Sequence, residues 1–273
     1  METNLEEKYL RLKMYLKEKG SVAVAFSGGV DSAFLMKAAA DALGNQAIAV
    51  TVRCESVPGR ELAEAEDFCR ERGIRQYFVD LRQLEIDGFS LNPVDRCYIC
   101  KKTLFEGILS LASSLGIACV AEGSNMDDSG DYRPGMRALA ELSVLSPLRE
   151  LGFYKQDIRS LSKALGLPSW NRPSFACLAT RFVYGEEITQ EKLAMVEKAE
   201  QLLWDMGLRQ VRVRVHGSIA RIEVMPDEFP VLLKRENRAQ ITDSLRSYGF
   251  SYVTMDLTGY RTGSMNETMG KKE

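Results

Sequence analysis

The chain has 273 residues, of which 45% are apolar, so one large domain or a large and a small one can each bury a core. Its charges nearly cancel, 36 basic against 38 acidic, which argues against a general nucleic-acid binder. One histidine in the whole chain nearly excludes a His-rich zinc site or a His-based catalytic triad.

The first twenty residues are charged throughout and predict an amphipathic helix rather than a signal peptide. No stretch reaches the length of a membrane span, so a cytoplasmic protein is expected. Strands and helices then alternate. Strands are predicted at 22–26, 46–52, 74–79 and 117–122, and helices at 33–42, 60–72 and 97–115. Continuous apolar strands between amphipathic helices predict an α/β fold, a parallel sheet with helices on both faces. Ligands of such sheets bind beyond the carboxyl ends of the strands. A helix is predicted at 155–165, followed by a stretch punctuated by Pro168, Pro173 and Gly185. From about residue 188 the pattern changes to helix (190–206), hairpin strands (210–215 and 219–225), helix (about 228–248) and strand (252–257). This predicts a small α+β C-terminal domain at 187–273 after a larger one at 1–186.

At the end of the first strand stands SGGVDS, residues 27–32, directly before a helix. Gly28 and Gly29 let the backbone turn tightly and aim successive N–H groups into one concavity, and the helix N-terminus adds positive partial charge. A Walker-type lysine is missing, so the loop is not that of kinases and GTPases. It resembles the pyrophosphatase loop of ATP-dependent adenylating enzymes. The resemblance implies ATP cleavage between the alpha and beta phosphates, with Ser27 and Ser32 bonding pyrophosphate and Asp31 holding Mg2+. Asn125, with Asp127 and Asp128, follows a strand's carboxyl end and is a nucleotide or metal candidate, or an Asx-rich turn. A Gly-rich turn without a ligand is the plain alternative for the loop.

Cys97 and Cys100 open the long helix as a CxxC, and Cys177 lies in PSFACLATRF at 173–182. Arg96, Lys101, Lys102 and the helix N-terminus favour thiolates at the pair. The pair alone reads as a redox dithiol, half a zinc site or part of a larger ligand set. A thioredoxin-like dithiol belongs just after the first strand, and structural zinc needs a fourth ligand. Three cysteines suit a four-iron cluster whose fourth iron carries an exogenous sulfide. Cys69 and Cys119 read as core residues, while Cys54 stays open.

SGGVDS, CYICK, GSNMDD (123–128), PLREL (147–151), PSFACLATRF followed by YG, and RVRVHG (212–217) occur in that order. Together they resemble the LarE family over nearly the whole chain. The resemblance implies an ATP-dependent sulfurtransferase with a PP-loop fold, acting on pyridinium-3,5-biscarboxylic acid mononucleotide in nickel-pincer cofactor biosynthesis. One branch of that family uses only the cysteine matching Cys177 and sacrifices its sulfur. The other holds a [4Fe-4S] cluster on three cysteines, here Cys97, Cys100 and Cys177, and this chain resembles that branch. Arg212 and Arg214 share one face of a strand and are candidates to grip the substrate phosphate. Arg181 is a candidate for the acyl-phosphate, and Glu200 for a polar site facing the cysteine. Lys155 and Arg159 are read as partners of surface acids and His216 as structural. The resemblance further implies a homo-oligomer, with a hexamer as the candidate state, and no membrane or nucleic-acid partner. A PP-loop tRNA thiolase of the 2-thiocytidine type is the nearest rival, but it wants an RNA-binding surface and two CxxC pairs. An ammonia-using relative has no use for the cysteines, and a regulatory nucleotide-binding module does not need an intact loop.

Overall fold

A computed structural model describes residues 2–130, 134–173, 176–261 and 263–266. The chain packs as two compact units, Met1–Ile86 with Asp95–Phe175, and Asp87–Val94 with Ala176–Glu273. No described helix is long and apolar enough to cross a membrane.

The first unit is built on four parallel strands: β1 (Val22–Ala25), β2 (Ala47–Arg53), β3 (Gln76–Asp80) and β4 (Cys119–Ala121), in the order β3-β2-β1-β4. Among the described residues, seven α-helices accompany them: α1 (Glu2–Glu18), α2 (Val30–Leu43), α3 (Gly59–Glu71), α4 (Arg96–Ser114), α5 (Gly135–Glu141), α6 (Pro147–Glu150) and α7 (Lys155–Ala164). Side chains of a strand alternate between the faces of the sheet, and two cores follow. Val22, Val24, Ala47 and Ala49 pack with Leu12 and Leu16 of α1, Phe34 of α2 and Ile158 of α7. Ala23, Ile48, Val50 and Val120 face the other way, onto Phe105, Ile108 and Ala112 of α4 and Leu139 of α5. This is the predicted PP-loop-like α/β layering. Strand order places β1 between β2 and β4, so its carboxyl end opens between two crossovers that leave in different directions. That is where a doubly wound sheet takes its ligand.

The second unit holds a three-stranded sheet, β5 (Arg212–His216), β6 (Ile219–Glu223) and β7 (Tyr252–Met255), with β5 and β6 antiparallel and β6 and β7 parallel. Among the described residues, three α-helices accompany it: α8 (Gln190–Asp205), α9 (Phe229–Leu233) and α10 (Arg235–Tyr248). Thr189 caps α8 by accepting from the Lys192 amide. The helix expected over 228–248 is two helices. Lys234 is extended between them (φ −58, ψ 140), and the Asn237 side-chain amide donates to the freed Val231 carbonyl at 2.7 Å. Residues 87–94 pack into this unit: Gly185 N donates to Asn92 O at 2.9 Å, Ile188 N to Ser90 O at 2.8 Å, and Asn92 Nδ2 to Val183 O at 2.7 Å.

Candidate functional site

The loop at residues 27–32 leaves β1 and enters α2 with almost no slack. Gly28 takes φ +75, a backbone that side chains rarely adopt. The Ser32 hydroxyl accepts from the Ser27 amide at 3.3 Å and donates to the Gly29 carbonyl at 3.1 Å. The Ser27 and Ser32 hydroxyls lie 3.2 Å apart, and Gly29 N donates to Ser27 Oγ at 3.4 Å. The turn is thereby held shut from inside. From β2, the Thr51 hydroxyl donates to the Phe26 carbonyl at 2.8 Å, and Gln76 of β3 donates to Thr51 in turn at 2.8 Å. Gly123, past β4, approaches so closely that a Cβ there would meet Ser32 N at 3.1 Å. Backbone amides at a helix N-terminus in a rigid turn form an anion cradle.

Asp31 stands in the first turn of α2. Its carboxylate accepts from Asn125 Nδ2 at 3.2 Å and from Lys155 Nζ at 2.5 Å. Asn125 is itself set by an Asx turn, since its Oδ1 accepts from Asp127 N and its amide donates to Asp128 Oδ2, both at 2.9 Å. Asp127 then accepts from the Lys155 amide at 2.6 Å, which anchors the start of α7 beside the loop. So Ser27, Gly28, Gly29, Asp31, Ser32 and Asn125 form one cluster. Lys155, which the sequence suggested as a surface partner, belongs to it. The Arg172 guanidinium reaches the Gly28 carbonyl at 3.3 Å and pairs with Glu64 at 2.9 Å. Glu122 is a further buried carboxylate at the end of β4, accepting from Ser124 N and Oγ and from Ser146 Oγ.

Cys97 and Cys100 lie near the N-terminus of α4, three residues apart and therefore on one face. Gln83 Nε2 donates to Cys100 Sγ at 2.9 Å, and Arg96 Nη2 lies 3.9 Å from Cys97 Sγ. Gln83 was not singled out in the sequence. It is buried, and its Oε1 has no hydrogen-bond partner. Burial pushes the Cys69 thiol up to about 12, which suits an inert core residue, and raises Cys119 as well. Among the described residues, no group of three or more Cys, His, Asp or Glu side chains is arranged to hold a metal ion.

In the second unit the buried face of α8 carries Leu193, Val196, Ala199, Leu203 and Glu200. A carboxylate in an apolar stripe needs a partner. Arg181, equally buried, supplies a side-on pair, with Nε to Oε1 at 2.8 Å and Nη2 to Oε2 at 2.9 Å. Glu200 Oε1 also accepts from Val213 N at 2.9 Å, joining α8 to β5. The remaining face of the Arg181 guanidinium turns to the sulfur segment: Nη1 donates to the Ala176 carbonyl at 2.7 Å, the Cys177 carbonyl at 3.3 Å and Thr180 Oγ1 at 2.9 Å. Cys177 precedes a 3-10 turn, Leu178–Arg181, and its carbonyl takes a further bond from Thr180 N.

Arg212 and Arg214 are both buried on one face of β5. Arg214 donates through Nε and Nη2 to Glu223 Oε2 at 3.0 and 2.9 Å, and also to the Thr180 carbonyl and Ser264 Oγ. Arg212 bonds the Val211 carbonyl and lies over the Tyr260 ring. Burial pulls both guanidinium groups below their ordinary value, with the neighbouring Arg181 cation adding to the effect. Glu223, missed in the sequence, opposes Arg212 in the hairpin register. Among the described residues, the cluster sets three buried arginines, Arg181, Arg212 and Arg214, beside two buried glutamates, Glu200 and Glu223. Such a cluster attracts an anion.

No family profile matches the chain. It is 38% identical, over 98% of its length and 97% of the relative's, to the pyridinium-3,5-bisthiocarboxylic acid mononucleotide synthase of Lactiplantibacillus plantarum. It is 39% identical to an uncharacterized protein of Synechocystis, over 98% of this chain and all of that one. More distantly it resembles the B subunit of a glutamine-hydrolysing GMP synthase of Thermoplasma volcanium, 27% identical over 68% of this chain and 64% of the relative. Similarity to the Lactiplantibacillus synthase over nearly the full length of both chains, with an intact anion cradle at the sheet's ligand edge, shows that the chain belongs to the LarE family of PP-loop proteins.

Proposed function

We propose that the chain is an ATP-dependent sulfurtransferase that converts the carboxylates of pyridinium-3,5-biscarboxylic acid mononucleotide to thiocarboxylates. The carrying observation is the full-length relative whose name states that product. The loop amides of residues 27–32 and the N-terminus of α2 take the beta and gamma phosphates of ATP. A substrate carboxylate oxygen attacks the alpha phosphorus, and the bond to the bridging oxygen breaks, releasing pyrophosphate. Preorganised amides stabilise the charge that builds on that leaving group. Asp31 would hold magnesium through a carboxylate in the first turn of α2 that keeps a quarter of its surface exposed. The buried guanidinium groups of Arg212 and Arg214 suit the phosphate of the substrate mononucleotide. Arg181 and Glu200 hold the backbone at Cys177.

The sulfur has two candidate sources. Cys97 and Cys100 fit as ligands of a [4Fe-4S] cluster: their sulfurs share a helix face at its positive end and have N–H donors beside them. With Cys177 as third ligand, the group would supply an exchangeable sulfide for repeated turnover. Without it, the Cys177 thiolate attacks the acyl-adenylate and AMP leaves. Loss of the Cα proton then breaks the Cβ–S bond, giving thiocarboxylate and dehydroalanine once per chain.

The test is iron and acid-labile sulfide on protein reconstituted without oxygen, beside Cys177→Ala, with mass spectrometry of substrate and protein after exposure to ATP. About four irons per chain, lost in the variant, with thiocarboxylate formed over several turnovers, supports the cluster route. No iron, one turnover and loss of the mass of hydrogen sulfide from Cys177 supports sacrifice. ATP consumed with no thiocarboxylate refutes the sulfurtransferase reading.

A further inference from the structure

The side-chain amide of Gln83 is buried, and its two halves are treated differently by the fold. Nε2 donates to Cys100 Sγ at 2.9 Å, while Oε1 has no hydrogen-bond partner. A buried carbonyl left without a donor costs about 1–3 kcal/mol. A methionine would fill the same volume without that cost, so packing does not account for an amide here. The contact with sulfur does. The backbone of the residue is fixed as well. Gln83 opens a 3-10 turn, Gln83–Glu85, just past β3, and its N–H donates to Glu55 Oε2 at 2.8 Å, which ties the turn to the segment after β2. Two residues earlier, Leu81 N donates to the Arg53 carbonyl at 2.9 Å. Cys100 is delivered by α4, and both it and Cys97 remain half-buried. A rigidly held donor therefore meets the sulfur of a residue that is still partly open to an incoming group.

We infer that Gln83 is a positioning residue for Cys100 as a cluster ligand. Its N–H sets the direction of the Cys100 sulfur and draws negative charge from it, so that this sulfur keeps its iron while sulfide is exchanged elsewhere on the group. The inference deepens the cluster route of the function proposed above and rests on that route. On the sacrificial route Gln83 has no part. Two effects follow from the donor. Removing such a partner of a metal ligand typically costs 10–100-fold in metal affinity. It also lowers the reduction potential, because the reduced cluster carries more negative charge and gains more from the N–H.

The experiment uses the whole chain reconstituted with iron and sulfide without oxygen, as wild type, Gln83→Met and Gln83→Glu. Three quantities are read on each: iron release to a chelator, the midpoint of a mediated redox titration followed by electron paramagnetic resonance, and the melting point of the iron-free chain. Gln83→Met is expected to release iron about 10- to 100-fold faster. Its reduction equilibrium constant should fall about tenfold, ~59 mV for one electron. Gln83→Glu keeps the shape and adds negative charge, so its midpoint should fall at least as far. The iron-free Gln83→Met chain should melt no lower than wild type, because the orphaned carbonyl is gone. Iron bound in both variants with a reduction equilibrium constant within about twofold of wild type overturns the inference and leaves the cluster route standing. Iron lost together with a lowered melting point of the iron-free chain overturns it in favour of a packing role. A variant that holds no iron yet melts as wild type does supports it, as complete loss of the ligand. Wild type that takes up no iron overturns the inference together with the cluster route.

Discussion

Glu200→Ala is the substitution with the largest expected consequence. Arg181 and Glu200 are 1% and 0% exposed, and removing one partner of a buried ion pair leaves the other charge uncompensated. In wild type Glu200 accepts three bonds, two from Arg181 and one from Val213 N. The expected loss is about 3–5 kcal/mol. The unit that contains the pair has about a hundred residues, for which 1 kcal/mol moves the melting point by ~4–8 °C. A drop of roughly 12 °C or more in the transition of that unit is therefore expected, read by scanning calorimetry. A double-mutant cycle with Arg181→Met separates the pair from its surroundings. Non-additivity of at least about 1 kcal/mol is expected, because each single variant already removes the shared bonds. A melting point within 3 °C of wild type, or additive effects, would mean that the pair is worth no more than an exposed one. Since Arg181 also bonds the Ala176 and Cys177 carbonyls, the same variant should expose Cys177 to faster alkylation.

Gly123→Ala places a Cβ 3.1 Å from Ser32 N and 3.2 Å from the Asp31 carbonyl carbon, so the loop must shift. A loss of about 1–3 kcal/mol and weaker Mg·ATP binding by calorimetry are expected. Gly135→Ala is the contrast, because its Cβ meets mainly the flexible Lys101 stem, and a loss below ~1 kcal/mol is expected in denaturant titration. The Cys69 thiol is pushed from 9.0 to about 12 by burial, opposed by Arg72. Below pH 9 both folded and unfolded thiols keep their proton. Between pH 9 and 12 only the unfolded thiol loses it, so stability falls with rising pH by up to ~1.4 kcal/mol per unit. Denaturation midpoints at pH 8 and pH 10 should diverge less in Cys69→Ala than in wild type, and equal divergence would refute the assignment.

What was legible in the sequence is what is local. The loop at 27–32 announces its own conformation because strand, glycines and helix adjoin in the chain. The shared face of Arg212 and Arg214 follows from the two-residue period of a strand. Glu200 was named through the family resemblance and not from its spacing in α8. Glu223 was within reach too, since the turn at Gly217 and Ser218 fixes the register that sets it opposite Arg212. Lys155 was not, because it meets Asp31 across 124 residues, and a lysine one turn from Arg159 looks like any surface cation. The break at Lys234 was hidden as well, because no proline or glycine stands there and the helical spacing continues on both sides. Gln83 gave no signal, because its role depends on where α4 delivers Cys100.

The inclusion of residues 87–94 in the second unit has a consequence for how the protein is made. Phe89 is 1% exposed, and the bonds that hold its segment come from Val183, Gly185 and Ile188. A ribosome therefore releases this apolar segment some ninety residues before its partners exist, a wait of about 5–20 s at ordinary elongation rates. Throughout that interval Ser90 and Asn92 lack their native hydrogen-bond partners, which makes this segment a natural place for a chaperone to act during synthesis. A fragment beginning at residue 176 would lack one of its own core side chains however carefully its ends were chosen.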